Sequence, residues 1–370
     1  MKLLKLIFVI IVVLSFQFCK KSEPGKPIPI SDKQTHIPPG YDPSLYRNKV
    51  IRANLTGYDR VNDIVVDSTD NSKVYLVGYF DDSVYSFSVS TTGIVRFNSN
   101  GNNFTAYSNC FFDISSLSNE IYTLFQSSNG DHYLGGNFYS ATPISNLKFA
   151  RKTPTGSIFT YTLDLNGGVR SVREQGGNIY FCGDFIQVNQ AYCTPILSLS
   201  TNNTALNQVG GLNTSTAKRM EYFNSAWYIT SQNATGYVVS SNGGLWAIVG
   251  TGFNGYCNDM IQADGKLFCG GSMTSNRNNS MPRNYVNEFN GTDWVKVGAN
   301  NLSSQCLDLE YYNGKLYACT YNSISYYDSA SNTWKNACGS GIAFNNLSKI
   351  KFINGKLYGV ENGSFFELTV

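Results

Sequence analysis

One pattern, repeated seven times, governs what this chain can fold into. An apolar run, a tight turn and a second run opening on an aromatic residue recur along it. The opening aromatics are Tyr75, Tyr133, Tyr180, Tyr228, Phe268, Tyr317 and Tyr358, at intervals of 58, 47, 48, 40, 49 and 41 residues. Three positions before each stands a turn residue: Ser72, Gly130, Gly177, Ser225, Gly265, Gly314 and Gly355. Four of them sit in Asn-Gly or Asp-Gly pairs, namely Asn129-Gly130, Asp264-Gly265, Asn313-Gly314 and Asn354-Gly355. Such pairs accept φ > 0 at both central positions, which a two-residue hairpin requires.

A second landmark keeps phase with the first. Trp246, Trp294 and Trp334 lie 22, 23 and 24 residues before Phe268, Tyr317 and Tyr358. A Trp column on a strand is expected to pack between neighbouring sheets, without functional weight. Two landmarks in fixed phase define one unit of about four strands in 40–50 residues, the size of a propeller blade. One such blade cannot bury both faces alone, so blades must stack around an axis. The last unit runs out after three strands, near 347–352, 357–360 and 365–370. The segment 48–55 precedes the first hairpin, and Arg52 lies 23 residues before Tyr75, in the phase Trp294 holds before Tyr317. The chain therefore reads as all-β: a seven-bladed β-propeller of four-stranded blades over residues 48–370. The ring is closed by an N-terminal strand that completes the last blade, which also removes exposed strand edges.

Composition agrees and narrows the chemistry. Aromatics make up 14 % and glycines number 34, which is strand-and-turn chemistry. Charged residues are only 14 % and the net charge is +3, so no basic stripe marks a nucleic-acid face. No glycine loop opens a helix, which disfavours nucleotides. The two histidines are His36, in a Pro-rich stretch, and His132, after a turn. Triads, all-histidine zinc sites and HExxH helices need better-placed histidines than these.

Residues 1–19 read MKLLKLIFVIIVVLSFQFC, with Lys2 and Lys5 ahead of a 13-residue apolar run, Leu6 to Phe18. The run is short for a membrane span of about 20 residues and reads as a secretory signal. Ending on Cys19 before Lys20 and Lys21, it resembles a bacterial lipoprotein signal, which implies lipidation of Cys19. Phe16 and Phe18 stand where a lipobox usually carries Leu and a small residue, so an uncleaved anchor and cleavage elsewhere are the alternatives. Lys20, in place of the Asp that often marks inner-membrane retention, implies the outer membrane. Residues 20–47 hold six of the ten prolines and read as a tether.

Three of the repeats, IYTLFQSSNGDHYLGGNF from Ile121, GGVRSVREQGGNIYFCGDF at 167–185 and CNDMIQADGKLFCGGSM from Cys257, resemble the delta-sixty type of bacterial propeller repeat. YYDSASNTW, at 326–334, resembles kelch. Blade four, YFNSAWYITSQ, lacks the glycine pair. The resemblance implies an architecture and is silent on function.

Apart from Cys19 there are eight cysteines: Cys110, Cys182, Cys193, Cys257, Cys269, Cys306, Cys319 and Cys338. In an exported protein an even number suggests disulfides. Cys182 and Cys193 flank a loop and are the candidate bridge. Cys257 with Cys269, and Cys306 with Cys319, each straddle a hairpin but fall a residue or two out of register. Cys257 and Cys306 hold the same place in successive blades, 11 before the aromatic, which equally suits small core residues.

The loop after the glycine motif is short in blades four, six and seven. It is long in blade two (Tyr139–Asn146), blade three (Ile186–Tyr192) and blade five (Thr274–Asn284). Unequal loops on a regular scaffold suggest a one-sided binding face or tolerated insertions. The candidate face residues are Tyr139, Asp184, Gln187, Tyr192, Arg277 and Arg283, suited to a sugar or a peptide. Asp59, Asp63, Asp67 and Asp70 crowd the first repeat, with Asp81 and Asp82 after them. No DxDxDG-like loop accompanies them, and 67–71 reads equally as a turn. No catalytic residue, metal ligand or cofactor is assigned. The resulting expectation is an exported, lipid-anchored propeller acting as a non-catalytic binding module for a protein or carbohydrate. Its membrane partner is reached through the lipid, and nucleic acid is not a partner. The alternatives are an envelope assembly scaffold for another membrane protein, and a carbohydrate-active enzyme using carboxylates or a bound cation.

Overall fold

A computed structural model describes residues 46–55, 59–80, 93–100, 102–106, 120–141, 144–161, 163–200, 206–211, 216–231 and 238–369, all within the unit that spans 34–370. Cys19, the signal, tether residues 20–45, Asp81, Asp82 and Cys110 lie outside the described residues.

The described residues form seven four-stranded antiparallel sheets, the blades of a propeller. Their innermost strands are Arg60–Val66, Glu120–Gln126, Val169–Gln175, Ala217–Phe223, Cys257–Ala263, Asp308–Tyr312 and Lys349–Ile353. Each touches the next, and the seventh touches the first, so the ring closes around an axis. The seventh sheet takes its outermost strand from the start of the chain. Asn48–Asn54 pairs antiparallel with Ser364–Thr369, from Asn48 against Thr369 to Asn54 against Ser364. Tyr46, on the tether side of the expected boundary, is buried, bridges Cys338 and accepts the Gly339 N–H at 2.8 Å.

The repeated aromatic proves to be the wedge between blades. Seven hydrophobic clusters lie at the seven blade-to-blade contacts. Tyr75 packs with Ile121 and Leu124 of blade two, and Tyr133 with Val169 and Val172 of blade three. Tyr228 meets Met260 and Phe268 meets Leu309, while Tyr317 meets Ile350. Tyr358 of the last blade packs with Val61 and Val74 of the first. Burying one such side chain is worth roughly 2–3 kcal/mol; six of the seven are buried, and Tyr180 is half-buried against Trp227 of blade four.

The tryptophans pack between sheets as the phase implies. Trp246 Nε1 donates to the Val209 carbonyl at 3.1 Å and Trp334 Nε1 to that of Val297 at 2.8 Å, each reaching back one blade. Trp294 is fully buried against Phe253 and Phe289.

Five of the seven repeat hairpins use two-residue turns with φ > 0 at both positions: Gly176-Gly177, Asn224-Ser225, Asp264-Gly265, Asn313-Gly314 and Asn354-Gly355. Asn129-Gly130 departs from the expectation. Gln126 pairs with His132 across a longer turn, and of the pair only Gly130 has positive φ, +83°. The Asn129 side chain instead binds Ser127 Oγ at 2.6 Å and the Asp131 N–H at 3.1 Å, which stabilises the longer turn. In blade one the acidic residues also hold a turn. Asp67 accepts from the Thr69 N–H at 2.8 Å and Tyr75 Oη at 2.8 Å, and Asp70 from the Ser72 N–H at 3.0 Å.

The expected Cys182–Cys193 bridge is absent: both are free, buried thiols. Cys182 faces the contact between blades three and four, whereas Cys193 faces that between two and three, so the side chains point to opposite faces of one sheet. The disulfide joins Cys257 to Cys269, with Cα atoms 6.2 Å apart. A bulge between Cys257 and Asp259 shifts the register and brings the two together. Cys306 and Cys319 remain free and buried.

Candidate binding site at the channel mouth

In an antiparallel blade the start of the innermost strand and the connection between the second and third strands lie at the same end. The three long connections therefore share a face with the entrance to the central channel. At that entrance lies a cleft of about 380 Å³. Every blade contributes to it: Asn62, Tyr122, Arg170, Lys218, Asn258, Leu307 and Ser348 open successive inner strands, joined by Arg219, Lys349, Gln305 and Tyr321.

Local sequence explains how these side chains are held. Gly168 leaves the room that Tyr122 fills, since a Cβ there would stand 2.6 Å from Tyr122 Cε2. The Arg170 guanidinium lies over the Tyr122 ring, 3.6 Å from its centroid, and its Nε donates to Asp184 Oδ2 at 2.7 Å. Burial pushes the Tyr122 phenol up despite the pull of Arg170.

Further round, charge pairs lock successive inner strands. Arg219 Nε meets Asp259 Oδ1 at 3.1 Å, and Lys349 Nζ meets Asp308 Oδ1 at 2.6 Å. The other oxygens of these carboxylates accept backbone N–H groups of the next blade, Leu309 at 2.9 Å and Ile350 at 3.0 Å. Burial would raise Asp259, but Arg219 and Lys349 outweigh it and leave it low. Burial pushes Asp308 up to about 6; Lys349 pulls against the shift and Asp259 adds to it. Deeper in the channel, Arg173 pairs with Glu221 at 2.7 Å and Lys351 with Glu310 at 2.9 Å.

Lys218 differs. Among the described residues no carboxylate stands at ion-pair distance from it, and its amine reaches only Asn258 Oδ1, at 3.4 Å. Burial first, then Arg219, Lys349 and Arg170, push its pKa down to about 8.

The sequence-derived residues fall in different places. Asp184 belongs to this mouth through Arg170. Gln187 and Tyr192 pair across a small hairpin, Gln187–Val188 with Ala191–Tyr192, which Asn166 pins by accepting the Ile186 and Gln187 N–H groups at 2.9 and 3.0 Å. Tyr192 is 59 % exposed there. Tyr139 pairs with Asn146, so the expected blade-two loop is a strand extension rather than a loop. Arg277 lies exposed in the turn held by Asn276, whose Oδ1 accepts the Ser280 and Met281 N–H groups at 2.9 and 3.0 Å. Arg283 is buried away from the axis, paired with Asp293 at 2.8 Å, and lines a separate cleft of about 340 Å³ with Lys296 and Asn301. Sequence reasoning missed Tyr122, Arg170, Lys218 and Lys349. The signal was available: Arg170, Lys218, Asn258, Leu307 and Ser348 each stand ten residues before the wedge aromatic.

No family model matches the chain, and no curated protein matches it in sequence. Solved structures do share the fold. One described as YCF48 bound to D1 peptide superposes with a TM-score of 0.59 at 13 % identity, over 90 % of this chain and 96 % of that one. Selenomethionine-substituted virginiamycin B lyase from Staphylococcus aureus gives 0.57 at 14 % identity, over 87 % and 98 %. YCF48 from Cyanidioschyzon merolae gives 0.57 at 11 % identity, also over 87 % and 98 %.

Proposed function

We propose that this chain is an exported, lipid-anchored propeller that holds a segment of a partner protein across the channel mouth and performs no chemistry of its own. The observation that carries the reading is the polar cleft lined by all seven blades, on the face that also bears the long insertions. Its charged groups support holding rather than turnover. Arg170, Arg219 and Lys349 each have a carboxylate partner, and those of Arg219 and Lys349 also cap backbone of the next blade. A neighbour described as bound to a peptide is consistent with this use of the fold, and a neighbour named a lyase shows that the fold also hosts enzymes. The anchor rests on the signal-like segment ending at Cys19, and the outer membrane on Lys20. The kinship of the repeats with delta-sixty and kelch types belongs to the same proposal.

The test is an array of peptides, glycans and envelope proteins probed with the full-length protein and with Gln305→Trp, which fills the mouth. Saturable peptide binding, lost in the variant at an unchanged Tm, is expected. Binding undiminished in the variant overturns the assignment to the mouth, and binding confined to glycans overturns the protein partner in favour of a carbohydrate. Separately, Cys19→Ala is expected to release the protein from membranes, and a variant that stays fully membrane-bound removes the lipid anchor.

A further inference from the structure

We infer that the channel mouth takes one carboxylate of the bound peptide, held by Lys218 with Arg170 and Lys349 beside it. This rests on the peptide-binding reading above and names the chemistry of the segment it holds.

The cleft lining includes four cations, Arg170, Lys218, Arg219 and Lys349, and no carboxylate. Three of the cations are matched from outside the lining: Arg170 by Asp184 at 2.7 Å, Arg219 by Asp259 at 3.1 Å and Lys349 by Asp308 at 2.6 Å. Lys218 is not, so among the described residues the lining holds one cation without an ion-pair partner at a partly buried place; Asp63, the carboxylate next to Asn62 on the first inner strand, acts on Arg219 and forms no ion pair with Lys218. A buried cation without a counterion is costly, and an anion that enters recovers that cost. The charged groups that act most on Lys218 are Arg219 on its own strand, Lys349 and Arg170 across the mouth, and Asp259, which pulls the other way. The same three cations that disfavour the proton on Lys218 favour an anion next to it. A volume of about 380 Å³ accommodates an acidic residue and part of a neighbour, and the Asn62 side-chain oxygen and the Asn346 amide line it with groups that a peptide backbone can bond. Arg170 already covers the Tyr122 ring, but Tyr321 remains 45 % exposed in the lining, so an acidic sugar is the competing occupant that the test must separate. The carboxylate is an Asp or Glu side chain or a chain terminus, two sources of one chemistry.

The test uses the full-length protein and four probes: a pentapeptide amide with a central Asp, the same amide with Asn, the Asn peptide with a free C-terminus, and an oligogalacturonate. Calorimetric titration at pH 7 is expected to show at least tenfold tighter binding of one or both carboxylate peptides than of the neutral amide. Which of the two binds identifies the source. Lys218→Met is expected to remove that preference and Lys218→Arg to keep it. Raising the pH from 7 to 9 leaves about one tenth of the Lys218 amines protonated, so the wild type is expected to lose about tenfold in affinity. Lys218→Arg is expected to lose none, and this comparison stands even where Lys218→Met folds poorly. Equal binding of acidic and neutral peptides overturns the carboxylate and leaves the peptide reading intact. A preference retained in Lys218→Met, or a pH loss retained in Lys218→Arg, overturns the role of Lys218. Binding of the oligogalacturonate alone, or of no probe, overturns both readings.

Discussion

Arg52, on the first strand of the ring, donates through Nε to Glu367 Oε2 on the last strand at 2.9 Å, across 315 residues of sequence. Glu367 is fully buried and also meets Lys356 at 2.9 Å and Tyr358 Oη at 3.1 Å. Burial would raise its carboxyl, but the hydrogen bonds from Lys356 and Arg52 hold it below the usual range. Arg52→Met strips one partner from a buried charge, and the expected loss is about 2 kcal/mol, below the full cost of breaking a wholly buried pair because Arg52 is 19 % exposed. The sign with pH follows from the lowered carboxyl. Its contribution is complete above the unfolded carboxylate pKa, about 4.3, and is lost as pH falls through the lower folded value. Urea midpoints of wild type and Arg52→Met are thus expected to differ at pH 7 and to converge as the pH falls below the ordinary carboxylate range.

The Cys257–Cys269 bridge spans 12 positions of one hairpin. Closing a loop of that length is expected to contribute about 3 kcal/mol through the unfolded chain. Reduction, or Cys269→Ser, is expected to lower stability by an amount of that order. Peptide mapping after alkylation under denaturing, non-reducing conditions is expected to find Cys182 and Cys193 labelled and Cys257 joined to Cys269. A Cys182–Cys193 cross-link would contradict the opposite facing of those two thiols.

Blade four was the degenerate repeat in sequence, yet its turn has the same form as its neighbours'. Asn224 and Ser225 adopt φ of 46° and 63° without a glycine. A non-glycine residue pays roughly 1 kcal/mol for such a backbone. Ser225→Gly is therefore expected to raise stability by about 0.5–1 kcal/mol, part of the gain being offset by the freer unfolded chain. A lower denaturation midpoint would contradict this account of the turn.

Sequence disclosed the fold because the wedge aromatic and its turn are local signals under one recurring constraint, the contact between blades. Ring closure was legible in Arg52 for the same reason. The mouth was legible only as a phase, ten residues before the wedge aromatic, and that phase says nothing of which side chains meet, since a channel residue is defined by its place around an axis. Arg170 and Lys218 are unremarkable in GGVRSV and TAKRME, and line one cleft only when the blades converge on the axis. Arg283 misled in the other direction: a basic residue on a long loop looked free to bind, but it is consumed by Asp293. Cysteine spacing misled because Cys182 and Cys193 are near in sequence and face opposite sides of a blade.

Lys218 gives a prediction that needs no ligand. Its amine is pushed down to about 8 in the folded protein, against 10.5 ordinarily. The unfolded chain therefore binds more protons between those values, and folding stability attributable to Lys218 rises as pH climbs through that window. Below pH 8 the charged amine is a net cost, on the order of 2 kcal/mol. Lys218→Met removes the cost, so it is expected to raise the Tm at pH 7 and to bring less gain at pH 10. Chemical denaturation of both proteins at several pH values separates this from a packing effect, which would be the same at every pH. A Lys218→Met variant less stable than wild type at pH 7 would mean that the amine has a counter-charge in solution.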